Sequence, residues 1–262
     1  RGDFKLNSSI NDRLYESEFA LDSRFDLPPT QVKNKYVILS TPRSGSTFLC
    51  SALHASNVAG VPFEYFHYSL LPKLGHPEIH TELIMPYFEK LQSSRTTSNG
   101  MFGMKFHFLQ YQRLFDHNDH GIDFLLNFDK FILTYRRDKV LQAISMLLAI
   151  ENNVWSRNII TEAEKLGRPF KSNDADTITK FVNDLIVQEN AWRDITAKIG
   201  IIPLEIAYED LYSDSEYEFS KVTDHLRIDA TLKASTVKTT NSSITSSMKT
   251  SYLEYMNNKP SK

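Results

Sequence analysis

The 262-residue chain is 41% hydrophobic and 24% charged, with a formal net charge of −2. That composition suits one large α/β core and disfavours a general nucleic-acid binder, which would carry a basic excess. Cys50 is the only cysteine, no run approaches the roughly 20 apolar residues of a membrane span, and no signal peptide is expected from Arg1-Gly2-Asp3 onward. With no intramolecular disulfide available, Cys50 reads as a small buried hydrophobe and a reducing cytoplasm is the expected setting.

Residues 1–34 are polar, end in Pro28-Pro29 and carry a weak helical rhythm in Leu14, Phe19, Leu21 and Phe25, the pattern of an arm lying over a later core. Tyr36-Val-Ile-Leu-Ser40 is a continuous apolar run bounded by polar residues, which predicts a strand buried on both faces of a parallel sheet. A turn follows at Thr41 to Thr47. Phe48, Leu49, Ala52, Leu53 and Val58 then keep helical spacing up to a stop at Gly60. Residues 67–99, with Pro72, Pro77 and Pro86 around a helical piece near Glu82 to Leu91, read as an insertion that shapes a substrate site.

Met101 to Phe106, Phe131 to Tyr135 and Ile201 to Ala207 are further predicted strands, separated by stretches long enough for crossovers. A helix is predicted over about Thr179 to Lys198, with Phe181, Leu185, Trp192, Ile195 and Ile199 on one face and Gly200 at its end. The Ser/Thr-rich tract 235–251, which contains Lys238, reads as a loop. The expected architecture is a single α/β domain over 1–262, a mostly parallel sheet flanked by helices.

Two places in this order suit anions. A strand feeding a Ser/Thr/Gly loop that opens a helix presents backbone N–H groups at the positive end of the helix dipole. Here Pro42, Arg43, Ser44, Gly45, Ser46 and Thr47 form that loop: Gly45 admits close approach, the hydroxyls donate and Arg43 adds a forked cation. A capped helix start would favour the same Ser and Thr residues. The loop lacks the second Gly and the Lys of a Walker A motif. Farther on, Arg136 and Arg137 stand at a strand's carboxyl end, where open parallel sheets bind ligands, and either of them with Ser145 suits a second phosphate. The plainer reading is an exposed basic turn paired with Asp138. A nucleoside triphosphatase would place an Asp near such a strand end to hold magnesium, and the two cations that lead this one disfavour that reading.

Taken together, Tyr36-Val-Ile-Leu-Ser-Thr-Pro-Arg-Ser-Gly-Ser-Thr47 resembles the 5′-phosphosulfate loop of sulfotransferases that use 3′-phosphoadenosine-5′-phosphosulfate (PAPS), in particular the bacterial trehalose 2-sulfotransferase (Stf0-type) family. Val58-Ala-Gly-Val-Pro-Phe-Glu-Tyr-Phe66, Arg136 to Ser145, Asn153-Val-Trp155, Gln188-Glu-Asn-Ala-Trp192 and Ile206-Ala-Tyr208 resemble that family in the same order. The resemblance implies a P-loop-like sulfotransferase fold, PAPS as cosubstrate and PAP as product, and a small-molecule acceptor, with a homodimer as the alternative to a monomer. It implies that Arg43, Ser44, Gly45, Ser46 and Thr47 hold the 5′-phosphosulfate and that Arg136 and Ser145 hold the 3′-phosphate. Arg137 is the second candidate there, since its spacing to Ser145 is that of the cytosolic sulfotransferases. Lys238 joins the cofactor-binding candidates.

Glu64 falls on the family's general base. Met104-Lys105-Phe106-His107 also resembles the Lys-x-His element of the cytosolic enzymes, so His107 is a second base, ranked narrowly behind Glu64, and Lys105 would stabilise charge on the transferring group. The plain readings are a surface carboxylate at Glu64 and a hydrogen-bonded core histidine at His107. His76 and His80 lack partners at metal spacing, and no metal is expected. Val61 stands where the trehalose enzymes carry an acidic sugar contact, and Ser213 where a sugar-binding Arg would be sought. The acceptor is therefore expected to be another sugar, a glycolipid head group or a natural product such as a guanidinium alkaloid. The rival readings are a non-catalytic adenine-nucleotide binding protein and a magnesium-dependent kinase.

Overall fold

A computed structural model describes residues 20–67, 81–115, 120–152, 168–233 and 243–259. Four parallel strands run in the order β2-β1-β3-β4: β1 Asn34–Ser40, β2 Met101–His107, β3 Lys130–Tyr135 and β4 Leu204–Ala207. Register aligns their carboxyl ends, pairing Ser40 with both His107 and Thr134 and Tyr135 with Ala207. Helix α1 (Ser46–Ala55) follows β1, α2 (Thr81–Arg95) precedes β2, and α3 (Phe108–Phe115) and α4 (His120–Leu125) lie between β2 and β3. Then come α5 (Lys139–Asn152), α6 (Asp174–Lys198), α7 (Tyr208–Ser213), α8 (Ser215–Leu226) and α9 (Ser243–Asn258).

The two-residue alternation of β1 sorts the core into two layers. Val37 and Leu39 join Phe102, Met104, Phe106, Phe131 and Leu133 under Phe88 of α2, Phe124 of α4 and Trp192 of α6. Tyr36 and Ile38 face the other way, with Ile132 and Ile206, toward Leu49 and Leu53 of α1 and Phe219 and Val222 of α8. Gly103 in β2 leaves the room that the Tyr36 ring fills, since a Cβ there would sit 2.2 Å from Tyr36 Cζ. A third cluster joins α5, α6 and α9 through Ile144, Leu148, Ile178, Leu185, Met248 and Tyr252.

The apolar runs place the four strands, with edges that shift for local reasons. β4 starts at Leu204, three residues later than its run, because Pro203 has no N–H for a ladder and Ile201 instead donates to Thr196 O at 2.9 Å. α1 stops at Ala55, where Asn57 turns to φ +59°, short of Gly60. The insertion's helical piece is α2, which buries Ile84, Phe88 and Leu91 on one face and includes Pro86. The reading of 235–251 as a loop is corrected from residue 243 onward: α9 occupies 243–258, because Thr245, Met248 and Tyr252 share a buried face that the Ser/Thr content obscures. Residues 235–242, Lys238 among them, lie outside the described residues, as do Leu14, Phe19, Pro72, His76, Pro77, His80 and Asn153-Val154-Trp155.

The described part of the arm lies over the core. Phe25 packs edge-on against Phe63 with ring centroids 4.7 Å apart, and Leu27 N–H donates to Ser94 O at 2.8 Å. Buried Arg95 closes this seam, donating to Ala20 O and Asp22 O and pairing with Asp26.

Candidate active site

All four strands deliver side chains to the same edge of the sheet, the position where open parallel sheets bind ligands. Beyond β1, the chain turns through two left-handed residues, Arg43 at φ +63° and Gly45 at φ +84°, before α1 begins at Ser46. Gly45 is the N-cap, so no side chain caps the first turn of α1 and its N–H groups face the loop. A Cβ on Gly45 would lie 3.0 Å from Tyr208 Cδ2, so glycine is also set by packing. The loop is pinned from below. Ser44 Oγ lies 3.0 Å from Thr134 Oγ1, and Gln142 Nε2 donates to Thr41 Oγ1 at 3.0 Å and to Pro42 O at 2.7 Å.

The second anion candidate abuts the first, because Arg43 Nε donates to Ser145 Oγ at 2.9 Å. The two adjacent arginines have different surroundings. Arg136 is 3% exposed, its guanidinium lies 4.3 Å above the Tyr208 ring centroid, and its buried Nε has no hydrogen-bond partner, Glu209 standing 3.9 Å away. Burial pushes that guanidinium below its ordinary value, opposed by Tyr208, Glu209 and Asp138. Arg137 instead lies at the surface, where it forks onto the Asp210 carboxylate, which raises its pKa. Asp138 caps α5 by accepting from Leu141 N–H at 2.9 Å and pairs with Lys249 of α9 at 2.5 Å, so the sequence pairing of Asp138 with its neighbouring arginines is not what forms.

On the far side of β1, the remaining sequence candidates converge on one carboxylate. Glu64 Oε2 lies 2.7 Å from Lys105 Nζ and 3.3 Å from His107 Nε2, and only 12% of the Glu64 side chain is exposed. Its Oε1 accepts from Gln110 Nε2 at 2.5 Å and lies 4.0 Å from His67 Nε2. Burial alone would push this carboxyl up, but Lys105 and His107 outweigh it and hold Glu64 well below the usual carboxylate range. Glu64 is thus an enclosed ion rather than a surface carboxylate. His107 Nδ1 lies 2.8 Å from Ser40 Oγ. For a neutral ring, the proton belongs on Nε2 facing Glu64, and Nδ1 then accepts from the Ser40 hydroxyl. Lys105 reaches both halves of the site, since Nζ also donates to Thr47 Oγ1 at 3.3 Å.

Val61 is buried and Ser213 exposed at the end of α7. Cys50, at 2% exposure, has its thiol pushed up to about 12 by burial. Among the described residues, no group of three His, Cys, Asp or Glu side chains is arranged to hold a metal ion, and no helix is long and apolar enough to cross a membrane. Gln110, Gln142 and Tyr208 belong to this site but were not singled out from the sequence; Tyr208 was quoted only within Ile206-Ala-Tyr208. Each acts on a partner far along the chain, at separations such as 46 and 101 residues, which no local spacing reveals.

A parallel sheet whose carboxyl edge carries this glycine-turned loop and an enclosed carboxylate is the α/β fold of a sulfotransferase. The chain belongs to the Stf0 sulphotransferase family, whose family model matches residues 35–251. It is 29% identical to the trehalose 2-sulfotransferase of Mycobacterium tuberculosis (strain Erdman), an alignment covering 75% of this chain and 85% of that one. It is 26% identical to the trehalose 2-sulfotransferase of Mycolicibacterium smegmatis, covering 68% and 78% of the two chains. The sulfotransferase domain of the Synechococcus PCC 7002 olefin synthase superposes with a TM-score of 0.42 at 19% identity, over 76% of this chain and 75% of that one.

Proposed function

We propose that this sulfotransferase moves a sulfuryl group from PAPS to a hydroxyl or amine of a small polar acceptor, by in-line displacement and without a metal ion. One observation carries the reading: Lys105 Nζ lies within 3.3 Å of the anion loop at Thr47 and 2.7 Å of Glu64, so one ammonium joins the donor side to the base. The residues fit the donor. Gly45 opens the backbone of the loop, and Arg136, buried with no hydrogen bond on its Nε, together with Ser145, which Arg43 already reaches, suits a second phosphate. When bound, PAPS supplies an activated sulfuryl group and a phosphate leaving group.

The chain's own tasks follow from charge and geometry. Loop N–H groups, Arg43 and Lys105 stabilise charge on the transferring oxygens, while Arg136 and Ser145 select the 3′-phosphate. Glu64 takes the acceptor's proton. With either ring protonation His107 has both nitrogens committed, to Glu64 and to Ser40, whereas a carboxylate offers about four acceptor sites and Glu64 has three donors on it. His107 is then the partner of the base. Val61, buried where the resemblance to the trehalose enzymes would place an acidic sugar contact, argues for an acceptor other than trehalose. A reducing, cytoplasmic setting stays the expectation for a chain with one buried cysteine.

The test is incubation with sulfur-labelled PAPS and a panel of sugars, glycolipid head groups and amines, with and without chelator. Label should reach a hydroxyl or amine acceptor whether or not chelator is present. Tight PAP binding with no transfer to any acceptor would instead mark a non-catalytic nucleotide binder, and phosphoryl transfer from ATP that chelator abolishes would mark a kinase.

A further inference from the structure

Gln110 reaches Glu64 from α3 with its amide orientation already decided. Its Oε1 accepts the backbone N–H of His107 at 3.1 Å, at the end of β2, so its Nε2 must face Glu64 Oε1, where it donates at 2.5 Å. Rotating the amide by half a turn would set NH2 against N–H and C=O against carboxylate, two repulsive contacts in place of two bonds. The side chain is 8% exposed, so water does not easily replace either bond. The carboxylate is faced by Lys105 and His107 from β2 and by His67 on its own segment, and Cys50 of α1 lies within electrostatic reach. Gln110 differs from these: its donation does not change with pH.

We propose that Gln110 is a positioning residue which, anchored from α3 on the end of β2, locks Oε1 of Glu64 as an acceptor and thereby fixes the plane and the ionised state of that carboxylate, leaving Oε2 to Lys105 and His107. This rests on the reading of Glu64 as the base. A donor on the charged form favours that form, so removing it raises the Glu64 pKa and also frees the carboxylate to rotate. Gln110 touches Glu64 rather than the reacting atoms, and its effect is felt through the base alone.

Two variants test it. Gln110→Met keeps the length and loses the donor, and Gln110→Glu keeps the shape and sets a second carboxylate against the first. With saturating PAPS and acceptor, Gln110→Met should lower kcat about tenfold near neutral pH, because the freed carboxylate turns out of line with the acceptor proton and that loss of orientation outweighs the gain in basicity. PAP affinity by calorimetry should stay within a factor of about two. The carboxyl resonance of Glu64, followed by carbon-13 NMR and assigned by its disappearance in Glu64→Gln, should titrate about one pH unit higher in Gln110→Met than in the wild type. In Gln110→Glu it should move up further. A merely structural Gln110 would lower the melting temperature and kcat at every pH alike with the Glu64 titration unmoved, and that result overturns the proposal. Should Gln110→Met not fold, the isosteric Gln110→Glu carries the same titration test. The two readings fail separately: full turnover in Glu64→Gln removes Glu64 as base, whereas an unmoved Glu64 resonance removes Gln110 as its positioner.

Discussion

Replacing Arg136 and Arg137 one at a time by Met asks which of two neighbouring cations reads the 3′-phosphate. Arg136 is 3% exposed, with an unpartnered Nε; Arg137 is 52% exposed at its side chain and already engaged by Asp210. A guanidinium that meets a phosphate in a dry site makes two charge-assisted bonds, each contributing about 1.5–3 kcal/mol. Losing both in Arg136→Met should therefore weaken PAP by about 3–6 kcal/mol, or roughly 10²–10⁴-fold. The same substitution removes the stacking of Arg136 over Tyr208, which would weaken any nucleotide alike. The ratio of PAP to AMP affinity cancels that common loss, so calorimetry with both ligands isolates the phosphate contact. Wild-type protein should prefer PAP by at least about tenfold, close to 1.4 kcal/mol. Arg136→Met should abolish the preference and Arg137→Met should change it less than about threefold, as expected for an exposed pair. An intact preference in Arg136→Met together with its loss in Arg137→Met would refute the argument from burial.

Two other substitutions separate the loop from the base. Glu64→Gln should lower kcat by roughly 10²–10⁴ with PAP affinity nearly unchanged, and His107→Asn should cost much less; near-normal turnover in the first with collapse in the second would reverse the assignment. Because Lys105 and His107 hold the Glu64 pKa down, the acid limb of kcat/KM for PAPS, which reports the ligand-free enzyme, should lie below the ordinary glutamate value of about 4.3, and a limb near 6.5 would indicate the imidazole instead. Gly45→Ala should weaken PAP binding and cost about 1–2 kcal/mol of stability by denaturant titration, since it puts a Cβ on a residue at φ +84° and 3.0 Å from Tyr208 Cδ2; unaltered stability and affinity would show that the turn tolerates a side chain.

The strands were legible because a strand buried on both faces must be apolar at every position, as Tyr36 to Leu39 are, whatever it packs against. The loop was legible because its backbone geometry demands particular residues locally. By contrast, α9 follows a polar tract and buries only Thr245, Met248 and Tyr252 of its sixteen residues, too sparse a stripe to stand out against its serines and threonines. The neighbouring pair Arg136 and Arg137 was left open for a physical reason. Chain order gives both the same strand end, and what separates them is Tyr208 beneath one and Asp210 beside the other, supplied by α7 about 70 residues later. Gln110 and Gln142 were invisible on the same ground, since a glutamine has no charge or periodicity to announce that its amide will be enclosed.

Sequence reasoning set Glu64 and His107 against each other as alternatives, and the geometry makes them members of one hydrogen-bonded unit with Ser40 behind and Lys105 beside. A carboxylate held this firmly in its charged form stabilises the fold at any pH above its unfolded pKa, and that contribution is lost as the pH falls through its lower folded value. On the proposed reading, the same arrangement makes Glu64 a weak base while Lys105 leans on it. Lys105, however, also faces Thr47 in the candidate anion loop. On the proposed reaction, negative charge held at that loop competes for the ammonium, and each part of its attraction drawn toward the loop leaves Glu64 less stabilised as an anion and more ready to take a proton. The strength of the base is then tied to the occupancy of the loop, so that proton removal from the acceptor is favoured only where a group stands ready to be transferred.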